Sequence, residues 1–173
     1  MIIGKKSRFA VEFELNQEFG GDWLFGCFGF WIENRQIGDY KLGTSLRDVL
    51  FQMQSIICDN GKRSHRELFV LDKFELYRRI NGAIYGSEIN EYYQVALDET
   101  WARFDINIPV DVFDGWKMFL VENENSEQAR LIVVNLGNEE IYECILKKGE
   151  FDEVIAKVYQ ELDKLYESEL AKN

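Results

Sequence analysis

The sequence has few of the residues on which catalytic, metal-binding and disulfide-rich proteins depend. Its 173 residues include one proline, three cysteines and one histidine. The single proline, with 13 glycines, argues against a long disordered or collagen-like region. The cysteines, Cys27, Cys58 and Cys144, are odd in number and lie far apart in apolar surroundings. This pattern predicts buried free thiols in a reducing compartment rather than a disulfide framework.

Recognisable catalytic and cofactor motifs are also missing. The histidine, His65, lies in the polar segment GKRSHR without convergent partners, which predicts an exposed structural residue. The sequence contains no CxxC, HExxH, GxSxG or phosphate-loop motif. The glycines of residues 25–30 lie in an apolar strand with no helix after them, unlike a phosphate-binding loop. We therefore predict no catalytic residues, no metal site and no cofactor.

Long apolar runs and an excess of positive charge are absent as well. The longest nearly apolar stretch, residues 23–32, is ten residues long and contains two glycines, too short to span a bilayer. The N-terminal lysines follow the apolar residues, unlike those of a secretory signal. Lys and Arg number 20 against 31 Asp and Glu, a net charge of −11. Nucleic acid and anionic membranes are therefore unexpected partners, and we expect a cytoplasmic protein.

Hydrophobic and aromatic residues are plentiful, at 46% and 14% of the chain, which is enough for the core of one domain over residues 1–173. Apolar alternation predicts strands at residues 8–18, 23–32, 37–40, 67–71, 102–108, 116–122, 130–136 and 140–146. The strand at residues 23–32 is apolar on both faces, so we expect it to be covered on both. Helical spacing and capping residues predict helices after Ser45 and after Asp72, ending near Gly61 and Gly82, and an amphipathic helix from Phe151; residues 87–97 also favour a helix. The fold class is α+β, a largely antiparallel sheet with segregated helices and the C-terminal helix packed on it.

Negative charge is concentrated in residues 88–127, which contain two basic and ten acidic residues and carry a net charge of −8. Residues 1–87 carry +1 and residues 128–173 carry −4. Three interpretations of this block remain open. It is a solvated acidic face, a docking surface for a basic partner, or a hydrolytic or magnesium site that uses Asp105, Asp111 or Asp114.

The docking interpretation assigns partner binding to acidic and aromatic side chains of this block. Carboxylates would steer a basic partner, and aromatic rings would anchor it. The candidate partner-binding residues are Glu91, Tyr92, Tyr93, Asp98, Glu99, Trp101, Asp111 and Asp114. Asp98 and Glu99 have no capping or core role that the sequence indicates, so they are the first choices for charge reversal.

Residues 31–50, WIENRQIGDYKLGTSLRDVL, combine with three other segments into a familiar pattern: GGDWLFG before them, and VFDGWKMFLVE and GEFDEVI after them. Together these segments resemble immunity protein family 42 of bacterial polymorphic toxin systems. Trp31, Gly38, Asp39 and Gly43 match the most specific part of the pattern. We interpret them as structural, Trp31 as a core residue and the others as turn or strand-end residues.

The resemblance implies a small cytoplasmic protein encoded beside a toxin, as in contact-dependent growth inhibition. Such a protein binds the cognate toxin's C-terminal domain and blocks it without catalysis. Many toxins of this kind are nucleases whose basic channels hold phosphates, and an acidic protein can occupy such a channel. The alternatives are a small carboxylate-dependent hydrolase and a general acidic adaptor.

Overall fold

The computed structural model describes residues 1–86 and 91–172, and it confirms the α+β class. The strands of this part of the chain are β1 (Ile2–Gly4), β2 (Phe9–Leu15), β3 (Phe25–Ile32), β4 (Arg35–Ile37), β5 (Thr44–Ser45), β6 (Trp116–Glu122), β7 (Gln128–Asn135) and β8 (Glu140–Lys147). The helices are α1 (Leu46–Cys58), α2 (Arg66–Phe69), α3 (Lys73–Tyr85), α4 (Tyr93–Asp98) and α5 (Glu150–Leu170). Short 3₁₀ turns lie at Gly21–Trp23, Trp101–Phe104 and Asp111–Phe113.

The first sheet has the antiparallel order β1-β2-β3-β4, with β5 paired to the start of β3. The β3–β4 hairpin turns at Glu33 and Asn34, whose φ angles of 50° and 63° suit a two-residue turn. The return strand is therefore Arg35–Ile37, not the predicted residues 37–40. Gly26 is needed inside β3 because a Cβ there would lie 2.2 Å from the Glu14 carbonyl oxygen.

The prediction that residues 23–32 form a strand covered on both faces is wrong for one face. Phe28 and Phe30 are fully buried, as predicted. Trp23 lies in a 3₁₀ turn before the strand, and Trp23 and Phe25 are 45% and 44% exposed. Trp31 is half-buried rather than in the core, and its indole donates a hydrogen bond to Glu12. No element of the described chain closes over the Trp23–Phe25 end of this face, so its aromatic side chains remain accessible.

The second sheet, β6-β7-β8, is antiparallel and divides the protein into two apolar layers. One face contributes Leu120, Leu131 and Val133 to a large core with the first sheet, α1 and α5. The other face contributes Phe119 and Ile132 to a smaller core with α2, α3 and α4. Strand alternation explains both faces, since successive side chains of a strand point in opposite directions.

The helices of the larger layer begin and pack as predicted. The Ser45 hydroxyl accepts a hydrogen bond from the Asp48 amide and caps α1. Helix α5 begins after Gly149 and buries Phe151, Val158 and Leu162. The C-terminal helix therefore packs its apolar stripe against α1 and the first sheet, which confirms its predicted position.

Two predicted strands of the smaller layer are wrong. Residues 66–69 form α2, because the His65 ring caps the helix through the Leu68 amide. Residues 102–108 form the end of a 3₁₀ turn and then an irregular segment with one bridge, Asp105 to Phe119. Helix α3 starts at the predicted Asp72 cap but continues past Gly82 to Tyr85. The sequence favours a helix over residues 87–97, and the structure has helix α4 at Tyr93–Asp98. Residues 87–90 lie outside the described part of the chain.

A buried ion pair joins three segments at the junction of the layers. The Arg63 side chain is fully buried, and its Nη1 lies 2.7 Å from an Asp152 carboxylate oxygen. The same guanidinium donates to the carbonyls of Arg103 and Ile56 at 2.8 and 2.7 Å. Burial raises the pKa of Asp152, and the neighbouring Arg63 opposes that rise.

The three cysteines are free, but the prediction that all are buried holds only for Cys144. Cys27 is half-buried, and Cys58 is exposed at the end of α1, where the helix leaves the core. Burial raises the pKa of the Cys144 thiol to about 11, so this group stays protonated and a poor nucleophile. Within residues 1–86 and 91–172, no helix combines the length and apolarity needed to cross a membrane.

Candidate partner-binding surface

Helix α4 and its flanks form an exposed acidic and apolar surface on the smaller layer. The α4 surface is defined here by Glu91, Tyr93, Val95, Leu97 and Asp98, all exposed. Only Ala96 of this short helix is buried. Tyr93 and Leu97 are four residues apart and share one side of the helix, whereas Val95 lies on the other side, with Gln94 and Asp98 between them. Exposed apolar side chains among polar ones are common at protein contact sites.

Two of the predicted aromatic anchors lie beneath this surface rather than on it. Trp101 is 3% exposed and belongs to the smaller core. Tyr92 is half-buried and stacks on Trp101 at a ring distance of 6.4 Å, with the Arg79 guanidinium 4.8 Å from its ring. Both rings support the α4 surface, and of the predicted aromatic pair Tyr92 and Tyr93, it is Tyr93 that is exposed.

Glu99 has a structural role that the sequence did not indicate. Its carboxylate oxygen Oε2 lies 2.9 Å from the Trp101 indole nitrogen and 2.8 Å from His65 Nε2. These hydrogen bonds from Trp101 and His65 hold the pKa of Glu99 below its usual value. Glu99 thus fixes the end of α4 against the core, and it is a poor choice for charge reversal.

His65 is not the exposed residue that the sequence predicted; its side chain is 13% exposed. Its Nδ1 accepts from the Leu68 amide at 3.1 Å, so the proton lies on Nε2, which faces Glu99. The ring also meets Trp101 and Phe104 edge-on. Both ring nitrogens are occupied in structural contacts, and neither faces a cysteine or serine nucleophile as a base would.

Asp111 and Asp114 lie apart from the α4 surface, on the layer of the larger core. Asp111 begins the 3₁₀ turn Asp111–Phe113 and Asp114 follows it, and both residues are exposed. The turn is anchored by Phe113, whose ring lies 4.9 Å from that of Phe30 and fits against Gly38, where a Cβ would clash. The eight candidate residues therefore fall into two groups, one on each layer.

The described residues do not bring carboxylates, histidine and cysteine together as metal ligands: no group of three or more is placed to hold an ion. Asp105, a candidate for the hydrolytic interpretation, accepts hydrogen bonds from Tyr85 and from the backbone amide of Asn107. Its carboxylate is thus occupied within the protein and does not converge with Asp111 or Asp114 on a common site.

The described residues form two antiparallel sheets with exposed acidic and apolar side chains on both layers. The model of the family described as Immunity protein 42 matches residues 1–161, so the chain belongs to this family, and the resemblance noted in the sequence is confirmed. The chain is an immunity protein, a class whose members neutralise a cognate toxin.

A solved structure described as the crystal structure of CdiI from Burkholderia dolosa AUO158 has a similar fold. The TM-score is 0.72 at 20% sequence identity, and the match covers 93% of this chain and 99% of that chain. At this identity the comparison establishes the shared fold. A search of curated proteins found no match.

Proposed function

We propose that this immunity protein neutralises the toxic domain of a contact-dependent growth inhibition system in the cytoplasm. Membership of the immunity protein 42 family and a fold shared with a protein named CdiI support this proposal. The toxin is proposed to be a basic domain of the nuclease type. A nuclease must hold phosphates with cations, and those cations are complementary to an acidic inhibitor.

The observation that carries the proposal is the composition of the α4 surface. Tyr93, Val95 and Leu97 are 36%, 43% and 55% exposed, and Glu91 and Asp98 border them. Exposed aromatic and apolar side chains next to carboxylates occur together in protein interfaces. The carboxylates would steer a basic domain during encounter, and the apolar side chains would slow its release.

Inhibition is proposed to occur by occupation of the toxin's substrate channel, without turnover by the immunity protein itself. The purified chain is expected to hydrolyse neither nucleic acid nor esters, with or without magnesium. Magnesium-dependent turnover that survives repurification, and that is lost in Asp111→Asn with Asp114→Asn, would favour the carboxylate-dependent hydrolase instead.

The test is association kinetics with the toxin domain encoded beside this gene, over a salt series. The double variant Glu91→Lys with Asp98→Lys should lower the association rate about tenfold at low salt and reduce its salt dependence. Glu99 is left intact because it holds Trp101 and His65.

The matched control reverses two exposed carboxylates elsewhere, Glu127→Lys with Glu167→Lys, so that net charge changes equally. Circular dichroism checks that both variants fold. Equal association rates for the two double variants would place the interface away from the α4 surface, and a wild-type chain that does not bind this toxin would refute the proposed function.

A further inference from the structure

A groove of about 590 Å³ lies on the other layer, between the start of β3, the turn before α1 and the 3₁₀ turn at Asp111. Its lining combines one exposed ring, Phe25, with two carboxylates, Asp48 and Asp111. The remaining lining residues are apolar or uncharged, so no lysine, arginine or histidine of the described chain lines it.

The aromatic wall of this groove, Phe25, is held in place by neighbouring side chains. Phe25 stacks on Trp23 with ring centres 6.0 Å apart and planes within 3° of parallel. The Arg47 guanidinium lies 3.6 Å from the Trp23 ring centre, and the Ser45 hydroxyl donates to the Trp23 carbonyl at 3.0 Å. Leu24, between the two rings in sequence, is fully buried and anchors the turn. Exposed rings that are already ordered lose little conformational entropy when a partner binds.

The two carboxylates give the groove a negative potential. Asp111 is exposed, and its carboxylate has no hydrogen-bond or ion-pair partner among the described residues. Asp48 has one cationic neighbour, Arg47 at 3.2 Å, and its side chain is still 47% exposed. A cation that enters this groove would meet two carboxylates and an aromatic face together.

We propose that the groove receives an arginine side chain of the toxin domain, which extends the interface beyond the α4 surface. Arginine fits better than lysine, because its planar guanidinium stacks on aromatic rings and donates paired hydrogen bonds to carboxylates. A basic partner is favoured over a second copy of this chain, because two copies would each bring a net charge of −11. This inference rests on the proposed function, since the arginine belongs to a toxin that the chain binds.

The first experiment compares toxin affinity for two charge-matched variants. Asp48→Asn with Asp111→Asn removes both groove carboxylates, one of them in the first turn of a helix. The control, Glu127→Gln with Glu153→Gln, also removes two exposed carboxylates, one in the first turn of α5. The groove variant should raise Kd about tenfold or more and the control by less than about threefold. If the double variant is less stable, Asp111→Asn alone carries the same test.

The second experiment tests the aromatic wall. Phe25→Ala should raise Kd about 30-fold, as expected for an anchor residue, whereas Phe74→Ala, a more exposed ring on α3, should leave Kd nearly unchanged. A blocked arginine peptide should shift the amide NMR signals of Gly26 and Gly43, and a blocked citrulline peptide should not. Each arginine of the toxin can also be changed to lysine in turn. At one position this change should weaken binding to the wild-type immunity protein but not binding to the variant Asp48→Asn with Asp111→Asn.

The outcomes separate this inference from the proposed function. If the wild-type chain does not bind the toxin, both the proposed function and the groove proposal are wrong. Toxin binding that is equally strong in the groove variant, its control and Phe25→Ala overturns the groove alone. A concentration-dependent dimer of the free chain that Phe25→Ala abolishes, in sedimentation, would assign the groove to a second copy and overturn the arginine proposal.

Discussion

The two faces of the second sheet differ in how much they bury. Among the described residues, the face toward the first sheet belongs to a core of 30 buried residues, and the face toward α2–α4 belongs to a core of 12. The larger layer contains α1 and the longest helix, α5, whereas the smaller layer packs α3 with the short helices α2 and α4, held by side-chain contacts such as those of His65 and Glu99. The difference suggests that the larger layer supplies more of the stability, while the smaller layer, with its smaller core, presents the α4 surface.

The junction between the layers should give the largest effect on stability. Arg63→Met leaves Asp152 buried without its cation and frees two carbonyls, so it should lower the free energy of unfolding by about 3–5 kcal/mol. Urea denaturation measures this change. The double variant Arg63→Met with Asp152→Leu should be more stable than Arg63→Met alone, because no unpaired charge stays buried. A single variant as stable as wild type would show that the pair does not hold the layers together.

The next effect tests whether the layers unfold together, as a single domain over residues 1–173 requires. Leu162→Ala in the larger core and Leu76→Ala in the smaller core each remove a fully buried side chain. Each should cost about 2–5 kcal/mol. Far-ultraviolet circular dichroism and tryptophan fluorescence should report one shared transition in both variants. Two separate transitions in Leu76→Ala would divide the chain into two units.

The smallest effect concerns the pH dependence of the smaller layer. The pKa of Glu99 is lowered in the folded protein, so its ionised form stabilises the fold above the ordinary value of 4.5. That stabilisation is lost as the pH falls below 4.5 through the lowered pKa. Glu99→Gln should thus be less stable than wild type at pH 7, by less than about 1 kcal/mol for this half-exposed group. Thermal melts from pH 7 to pH 3 should show the two proteins converging; a constant difference would contradict the assignment.

The contrast between the larger and the smaller layer also explains how much of the fold the sequence could predict. The helix from Gly149 and the strands β2, β6, β7 and β8 have long periodic patterns, and their predictions are confirmed within a few residues. The predicted strands at residues 67–71 and 102–108 are wrong because the structure there depends on tertiary contacts. The His65 cap and the hydrogen bonds of Asp105 lie outside any local pattern.

Prediction of the candidate site was limited in the same way. Charge counting located the acidic block, but it could not separate the exposed Tyr93 from the buried Trp101, or detect the contacts of Glu99. Trp23 and Phe25 were assigned to the interior because apolar residues occupy both alternating faces of residues 23–32. The preceding Gly20 and Gly21 were the available signal that Trp23 lies in a turn before the strand and that this end is exposed.

The most direct test is amide hydrogen exchange of the free chain and of its complex with the toxin domain encoded beside the gene. The account predicts slower exchange on binding in peptides that cover residues 91–99, 22–26 and 111–114. Peptides that cover α5 should exchange at the same rate in both states, since no residue of that helix belongs to the α4 surface or lines the groove. Protection confined to α5 or to the β1 edge would contradict the placement of toxin recognition on the α4 surface and the groove.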